Sequence, residues 1–333
     1  MKKLTKEAKE LFRDTFRTVF ILLRIMIPVS ILVKILTDAG AIGVIGDALY
    51  PVMKYVGLPG EMGLAWATGI ITNLYGGIYA FVALWQDLPL SIAQVTIIST
   101  MMLVAHTFPI ELSIARKSGL KIIPLFLLRF LMAYFFGWIL NIFYQSSGLM
   151  QDVCVPTWKP SPVSDPSLWA WGLNELKNYA VVFLFIFALM LLLRILKYLK
   201  IIDVINRALN PMLRFLGIGK EVTTITMIGI TLGVVYGGAL IIDEARKNPD
   251  IKRKDIFYSL ALMGLSHSLI EDTLLLMSLG ADFFGIFVWR FALSLGVIWL
   301  LVRITRRMKE SNFNRLFLRK KFLTNPELNS KQT

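Results

Sequence analysis

The stretch LVAHTFPIEL at residues 103–112 has a counterpart, GLSHSLIEDT, at residues 264–273. Each stretch carries a histidine, a hydroxyl residue directly after it, and an acidic residue four or five positions further on. Both lie inside long apolar segments, and His106 and His267 are the only two histidines of the chain. Because ionisable side chains are costly in such surroundings, their occurrence twice in the same pattern indicates an internal repeat.

Further matches between the two halves keep the same order and almost the same spacing. ALYPVMKYVGLPGE at 48–61 matches ALNPMLRFLGIGKE at 208–221 with an offset of 160. NLYGGI at 73–78 matches VVYGGA at 234–239 with an offset of 161, which also relates the two histidines. One inserted residue before the glycine pairs explains the change of offset. The sequence therefore predicts a tandem duplication.

The composition indicates a membrane protein. The chain has 333 residues, 56% of them hydrophobic, and a mean hydropathy of +0.64, which exceeds the usual apolar share of soluble domains. Several apolar runs reach the roughly 20 residues that one bilayer crossing requires. The net charge is +14; its positive residues flank these runs, where they set topology and contact anionic lipid, so we expect no nucleic-acid partner. The single Cys154 excludes an internal disulfide.

The distribution of Lys and Arg predicts the orientation. Residues 1–17 hold six of them and residues 303–321 hold eight, whereas 84–91 holds none. By the positive-inside rule, both termini are cytoplasmic and the central segment lies outside. The first half then needs an odd number of crossings, although it contains four apolar runs. We therefore expect the run 62–83 to enter and leave by the same face, with its turn at Asn73 and the glycine pair that follows.

The second half repeats this pattern upside down. The sequence therefore predicts an all-α polytopic membrane protein: an inverted-topology repeat with about six transmembrane helices plus two re-entrant hairpins. We expect it in the cell (inner) membrane as a multi-pass protein. Its predicted parts are a cytoplasmic basic segment 1–16, a first repeat 17–145, an extracytoplasmic Pro/Trp-rich linker 146–175, a second repeat 176–305 and a cytoplasmic basic tail 306–333.

A solute site is predicted near the membrane midplane, where the two repeats meet. His267 and Glu271 are four residues apart and would share one helix face. The alternative for the histidines is a structural polar cluster, and the alternative for the glycine pairs is close helix packing. The candidate residues come from the histidine stretches and the hairpin tips: His106, Thr107, Glu111, His267, Ser268, Glu271, Asp272, Asn73, Tyr75, Gly76, Gly77, Tyr236, Gly237 and Gly238.

Two arginines, Arg129 and Arg290, occupy matching positions in the last helix of each half. We expect structural ion pairs, Arg129 with Glu111 and Arg290 with Asp272 or Glu271. No catalytic set, nucleotide-binding loop or cofactor motif stands out, so neither an enzyme nor a cofactor is expected. Histidines and carboxylates suit a borderline cation such as Zn²⁺ or Fe²⁺; if a metal binds, its ligands would come from His106, Glu111, His267, Glu271 and Asp272.

The motifs carry a family resemblance. At HTFPIELSIARKSG (106–119), HSLIEDT (267–273) and the two YGG segments, the sequence resembles the nucleoside recognition (Gate) domain membrane proteins, as two Gate repeats over about 15–305. That family is related to the spore-maturation membrane proteins and to the membrane domain of ferrous-iron transporters. The resemblance implies a membrane protein built from Gate repeats, without specifying its substrate.

Three functions remain open at this level. The first is a membrane transporter or permease that binds a small polar solute, such as a nucleoside, at a midplane site between the repeats. The second is a divalent-metal or proton-coupled ion carrier. The third is a non-transporting membrane scaffold or regulator. The expected partners are the lipid bilayer and a small polar solute or ion, and homo-oligomerisation stays open.

Overall fold

The structure is a computed structural model that describes residues 2–85, 88–156, 167–247 and 251–319. Within these residues the regular secondary structure is helical, as the sequence predicts. Part of the predicted linker, 157–166, and the end of the predicted tail, 320–333, lie outside the described residues.

Within the described residues, each half consists of the same succession of seven α-helices. The first half comprises α1 Lys2–Asp38, α2 Ala41–Met53, α3 Glu61–Ile71, α4 Leu74–Leu84, α5 Ile92–Val104, α6 Phe108–Lys117 and α7 Ile122–Ser147. The second half comprises α8 Leu168–Tyr198, α9 Ile201–Leu216, α10 Lys220–Leu232, α11 Val234–Lys247, α12 Arg253–Ser266, α13 Glu271–Met277 and α14 Arg290–Arg306. A π-helical segment, Phe284–Trp289, leads directly into α14. A last helix, α15, spans Glu310–Phe317.

Six segments of the described chain are long and apolar enough to cross a bilayer, the number that the sequence predicts. Three fall in each half. Because three is odd, the second half crosses the membrane in the opposite sense to the first, which is an inverted-topology repeat. The segments are Lys9–Asp38, Ile92–Lys117, Ile122–Ser147, Leu168–Tyr198, Arg253–Met277 and Phe284–Arg306.

Two of these spans are broken and central. The span Ile92–Lys117 consists of α5 and α6, and the span Arg253–Met277 consists of α12 and α13. In each, 72% of the most apolar window is buried inside the protein, against 11–33% for the other four spans. The outer spans expose large apolar side chains such as Phe16 and Leu184, as lipid-facing helices do. The broken spans therefore form the core that the outer helices enclose.

Local sequence explains where the helices α4 and α5 begin. Ser91 and Gln94 form a capping box at the start of α5, in which each side chain bonds to the other residue's backbone amide. The Asn73 side chain accepts a hydrogen bond from the Gly76 amide and so caps α4. Both arrangements satisfy amides that the first turn of a helix leaves free.

Each predicted re-entrant segment is a pair of short antiparallel helices. In the first, α3 and α4 are separated by residues 72–73. A Cβ added at Gly77 would lie only 2.8 Å from the Cα of Gly69, whereas residues eight apart in one continuous helix are about 12 Å apart. The chain must therefore reverse direction between them. In the second hairpin, a Cβ added at Gly237 would lie 2.5 Å from the Cα of Gly229.

The hairpins differ from the prediction in the role of their glycine pairs. The chain breaks before each pair, and the glycines lie inside α4 and α11, where they allow close helix packing. This is the alternative that the sequence leaves open for them. In their packing contacts, Gly77 and Gly237 are the equivalent residues, since each packs on a glycine eight residues earlier in its hairpin. They are 160 residues apart, whereas the sequence motifs align the glycine pairs at an offset of 161. The extra residue therefore enters after the hairpin, in the connection to the histidine-bearing span, where a loop accepts an insertion easily.

The helix α2, which precedes the first hairpin, lies nearly perpendicular to the first hairpin helix, α3. The segment 41–56, which contains α2, meets 61–71 at an angle of 88°. In the second half, the corresponding α9 exposes Val204 and Phe215. A near-right angle of this kind is expected where a helix lies along the membrane surface and the next helix enters the membrane.

The described part of the C-terminal tail docks on both halves. Phe313 of α15 is 1% exposed and its ring lies 5.7 Å from that of Phe257 on α12. Beyond α15, the Arg319 amide donates to the Gly119 carbonyl at 3.0 Å, and Leu318 forms an isolated bridge with Leu120. The tail therefore ties the end of the second half to the corner between α6 and α7 of the first.

Filling the contact between the two hairpin helices is expected to destabilise the protein. In Gly77→Leu, the new side chain would meet the backbone of Gly69, so we expect a loss of about 1–3 kcal/mol, visible as a lower Tm of the purified protein in detergent. Gly43→Leu is the matched control, because among the described residues a Cβ added at Gly43 would meet no atom within 4 Å beyond its chain neighbours and its own helix backbone. Equal Tm values for the two variants would contradict the hairpin packing.

The predicted orientation can be tested with single cysteines. On a Cys154→Ser background, Val155→Cys places a thiol at a position that is 85% exposed in the central segment, and Tyr198→Cys places one at the end of α8, where the side chain is 87% exposed. We expect an impermeant maleimide to label position 155 in intact spheroplasts or protoplasts. Position 198 should react only after permeabilisation. The reverse pattern would place the termini outside.

Candidate functional site

Both histidines lie in the breaks of the two central spans. His106 separates α5 from α6, and His267 ends α12. In each break, the residue directly after the histidine has a left-handed backbone: φ is 54° at Thr107 and 47° at Ser268. This conformation is uncommon for residues other than glycine and marks a tight, strained turn. The prediction that His267 and Glu271 share one helix face is wrong. The helix α12 ends at Ser266 and α13 begins at Glu271, so no helix connects the two residues.

The hairpins complete the backbone hydrogen bonding of these breaks. The Thr107 amide donates to the Gly69 carbonyl at 3.0 Å, and the Leu269 amide donates to the Ile230 carbonyl at 3.0 Å. Gly69 and Ile230 each lie two residues before the end of their helix, α3 and α10 respectively. Broken backbone at membrane depth is tolerated only where the surrounding protein supplies such partners. Each hairpin thus holds the break of its own half in place.

The two histidines meet at the centre of the protein. Their Nε2 atoms are 3.0 Å apart, and each residue is 4% exposed. The Nδ1 atoms face backbone carbonyls one turn earlier, at 2.7 Å from Met102 O and 2.9 Å from Met263 O. Because a carbonyl oxygen only accepts, the hydrogen-bond network assigns the proton of each neutral ring to Nδ1. The Nε2 lone pairs then face each other, an arrangement that a proton or a metal cation between them stabilises.

Glu111 and Arg129 adjoin the histidine pair. One carboxylate oxygen of Glu111 lies 3.5 Å from His267 Nε2, and the other lies 2.5 Å from Arg129 Nη1. Arg129 also donates through Nε to the Val104 carbonyl at 2.9 Å and through Nη2 to the His106 carbonyl at 3.1 Å. The structure thus places Arg129 and Glu111 in the expected ion pair, and every guanidinium nitrogen has a partner. The arginine also binds the end of α5 and so orients the break.

The acidic residues of the second half are arranged differently. Glu271 accepts a hydrogen bond from the Tyr75 hydroxyl at 3.4 Å, which joins α13 to α4 across the two halves. Asp272 is 7% exposed. Arg290, the expected partner of either carboxylate, interacts electrostatically with Asp272, but its side chain forms no hydrogen bond among the described residues. Ser268 lies beside the break of the second hairpin, since a Cβ added at Gly233 would be 3.0 Å from its hydroxyl.

The remaining candidate residues take part in the hairpins. Asn73 caps α4 through Gly76, and Gly77 and Gly237 make the close contacts described above. Gly238 packs against Ile114 of α6, 2.5 Å from a Cβ added at the glycine. Among the described residues, no hydrogen bond joins these side chains to either histidine. The Tyr236 side chain lies outside the described residues.

A second buried polar cluster has no counterpart in the sequence prediction. Glu175 of α8 is 8% exposed and accepts a hydrogen bond from the Tyr79 hydroxyl. The Tyr179 hydroxyl lies 2.8 Å from that of Ser30. A narrow apolar cavity lies beside this cluster and reaches Tyr75. An acidic residue close to the start of a long apolar run is the signal that could have identified it.

Comparisons with known proteins agree with the motifs. Residues 19–120 match the Gate family model, which is described as nucleoside recognition. The chain is also 27% identical over 271 residues to "Uncharacterized membrane protein YvoD" of Bacillus subtilis (strain 168), a match that covers 80% of this chain and 84% of that protein. No solved structure matches the chain.

The Gate match falls on the first of the two repeats and ends just after α6. It confirms the resemblance that the histidine and glycine motifs predict, and it suggests a membrane transporter-like role. The chain is therefore a multi-pass membrane protein that carries a Gate (nucleoside recognition) domain at residues 19–120.

Proposed function

We propose that the chain is a membrane transporter-like protein that carries a divalent metal cation through a site between its two halves. The observation that supports this most directly is the meeting of the His106 and His267 Nε2 atoms, 3.0 Å apart with their lone pairs facing each other. Glu111 adds a carboxylate oxygen. One ligand atom from each of the three residues lies within 4.8 Å of the other two.

The spacing of these ligand atoms is close to that of a tetrahedral metal site. With metal–nitrogen bonds of about 2.0–2.1 Å, two tetrahedral ligand nitrogens lie about 3.3 Å apart. The histidines would therefore need to separate by only about 0.3 Å more than their present distance. Three protein ligands leave a fourth position open, whereas structural zinc sites use four. An open position suits a cation that enters and leaves.

The surroundings of Glu111 also suit reversible binding. Its carboxylate is shared between Arg129 and the proposed cation, because one oxygen faces each. The arginine holds the carboxylate in place and withdraws negative charge from it, which orients the ligand and moderates the affinity. The Nδ1 bonds to the Met102 and Met263 carbonyls fix both imidazole rings in the same way.

The same pair can hold a proton when no metal is bound. A nitrogen–nitrogen distance of 3.0 Å is normal for an N–H···N hydrogen bond. Since a metal requires both lone pairs, its binding would release the shared proton, and the affinity for metal is expected to rise with pH. Metal entry and proton release would then be coupled at one site.

Zinc is expected to stabilise the purified chain, and removing either histidine should remove the effect. We expect Zn²⁺ to raise the Tm of the full chain, prepared in detergent without a histidine tag, and Mg²⁺, which prefers oxygen ligands, to have little effect. His106→Asn and His267→Asn should each weaken Zn²⁺ binding by at least about a hundredfold, measured by isothermal titration calorimetry, because loss of a direct ligand costs more than loss of a residue that only orients one.

Cys154→Ala is the control for this experiment. Cys154 is the one thiol of the chain and a possible zinc ligand elsewhere, but it lies at Leu279 and Gly280. The variant should bind Zn²⁺ like the unmodified protein. A zinc response that survives both histidine substitutions, or that disappears with Cys154, would refute the proposed site.

A small polar solute such as a nucleoside is the second candidate cargo. The description of the Gate domain favours it, as does the contact between the Tyr75 hydroxyl and Glu271 across the two halves. Glu271 and the neighbouring Asp272 could accept hydrogen bonds from solute hydroxyl groups, and Tyr75 offers an aromatic face.

Under this alternative, uridine or adenosine should raise the Tm, and the effect should depend on the second-half acids rather than on the histidines. We expect Glu271→Gln and Tyr75→Phe to abolish the nucleoside response while His106→Asn retains most of it. The same thermal-shift measurement, made beside the zinc series, separates the two cargoes. Absence of both responses would favour the non-transporting scaffold.

A further inference from the structure

Arg290 is a buried guanidinium that Asp272 attracts electrostatically but that forms no side-chain hydrogen bond among the described residues. It is 0% exposed, and none of its three side-chain nitrogens has a hydrogen-bond partner among the described residues. Its repeat mate, Arg129, uses all three nitrogens, on the Val104 and His106 carbonyls and on Glu111. The duplication thus places two arginines at equivalent positions in the core but completes the contacts of only one.

Two differences between the halves account for this asymmetry. The residue that matches Glu111 is Asp272, whose side chain is shorter by one methylene, about 1.5 Å. The turn before Arg290 is also different. The residues preceding Arg129 belong to the regular helix α7, whereas Phe284–Trp289 is π-helical. A π-helical turn contains an extra residue and changes the direction in which the next side chains project, and such turns are frequent at functional sites.

A guanidinium in the protein interior that forms no hydrogen bond is unfavourable, because a neighbouring charge alone does not replace the hydrogen bonds to water that it has lost. The planar fork of arginine matches a carboxylate, which accepts two parallel hydrogen bonds. The first half shows what such a contact looks like here, since the Glu111 carboxylate fills this role for Arg129. In the second half, the shorter Asp272 attracts Arg290 electrostatically but forms no hydrogen bond with it.

We propose that Arg290 is a recognition residue that binds a carboxylate group of a solute, in the place that the Glu111 carboxylate occupies in the first half. This subsite uses the Arg290 side chain rather than the two histidine nitrogens, and it goes beyond the cation site proposed above. Asp272 and Glu271 lie on the adjacent α13, so their negative charge disfavours a doubly charged group. The preferred ligand is therefore a singly charged carboxylate rather than phosphate.

The test uses acetate, the smallest stable carboxylate probe, on the purified full chain in detergent. We expect acetate, compared with chloride at equal ionic strength, to raise the Tm, and inorganic phosphate to have less effect. Arg290→Gln should lose the acetate response, with at least a tenfold weaker binding. Arg303→Gln, the same substitution on the same helix, should keep it. Absence of an acetate response in the unmodified protein would overturn the proposal.

Asp272→Glu provides a decisive second variant that does not remove the arginine. The new side chain has the same length as that of Glu111, so its carboxylate should form hydrogen bonds with Arg290. It would then take the place of the carboxylate of the solute. We expect a higher Tm without acetate and no further rise when acetate is added. An acetate response equal to that of the unmodified protein in Asp272→Glu or Arg290→Gln would overturn the proposal, as would equal stabilisation by phosphate. The zinc response of the histidine variants is a separate readout, so the failure of either site can be recognised by itself.

Discussion

The structure depends on one constraint: the backbone groups freed at two helix breaks must find partners inside the protein. The breaks at His106 and His267 interrupt the two most buried spans, where water is not available to satisfy an amide. The Gly69 carbonyl accepts from Thr107 and the Ile230 carbonyl accepts from Leu269, so each break is completed by the hairpin of its own half. The close approach of glycines within each hairpin places these carbonyls where they are needed.

The two helix breaks also position the polar side chains at the centre of the molecule. A continuous helix would direct its side chains along its own faces, whereas a break turns the histidine outward from the helix end. Two such breaks, one from each half, bring two Nε2 atoms to 3.0 Å. The backbone carbonyls behind them orient both rings, and Arg129 holds both the end of α5 and the carboxylate of Glu111. The histidine pair, the Glu111 carboxylate and Arg129 therefore form one cluster of groups in mutual contact.

The duplication does not make the halves equivalent. In the first half the arginine is paired with a glutamate, and in the second half its counterpart is buried beside a shorter aspartate with no hydrogen-bond partner among the described residues. The same ancestral arrangement thus forms a hydrogen-bonded ion pair in one copy and leaves the guanidinium without hydrogen bonds among the described residues in the other. Symmetry between repeats predicts which residues occupy matching positions, but the length of a single side chain and one π-helical turn decide what those residues contact.

The sequence by itself determined the number of spans, the duplication and the identity of the central residues. These follow from local properties: the length of apolar runs, the placement of Lys and Arg between them, and the recurrence of motifs at a nearly constant offset. The tertiary structure alone decided that the two central spans break at His106 and His267, which glycines touch, and that His267 approaches Glu111 rather than sharing a helix face with Glu271. The reason is physical. A helix inside apolar surroundings breaks only where another segment supplies hydrogen-bond partners, and that segment lies tens of residues away in the chain.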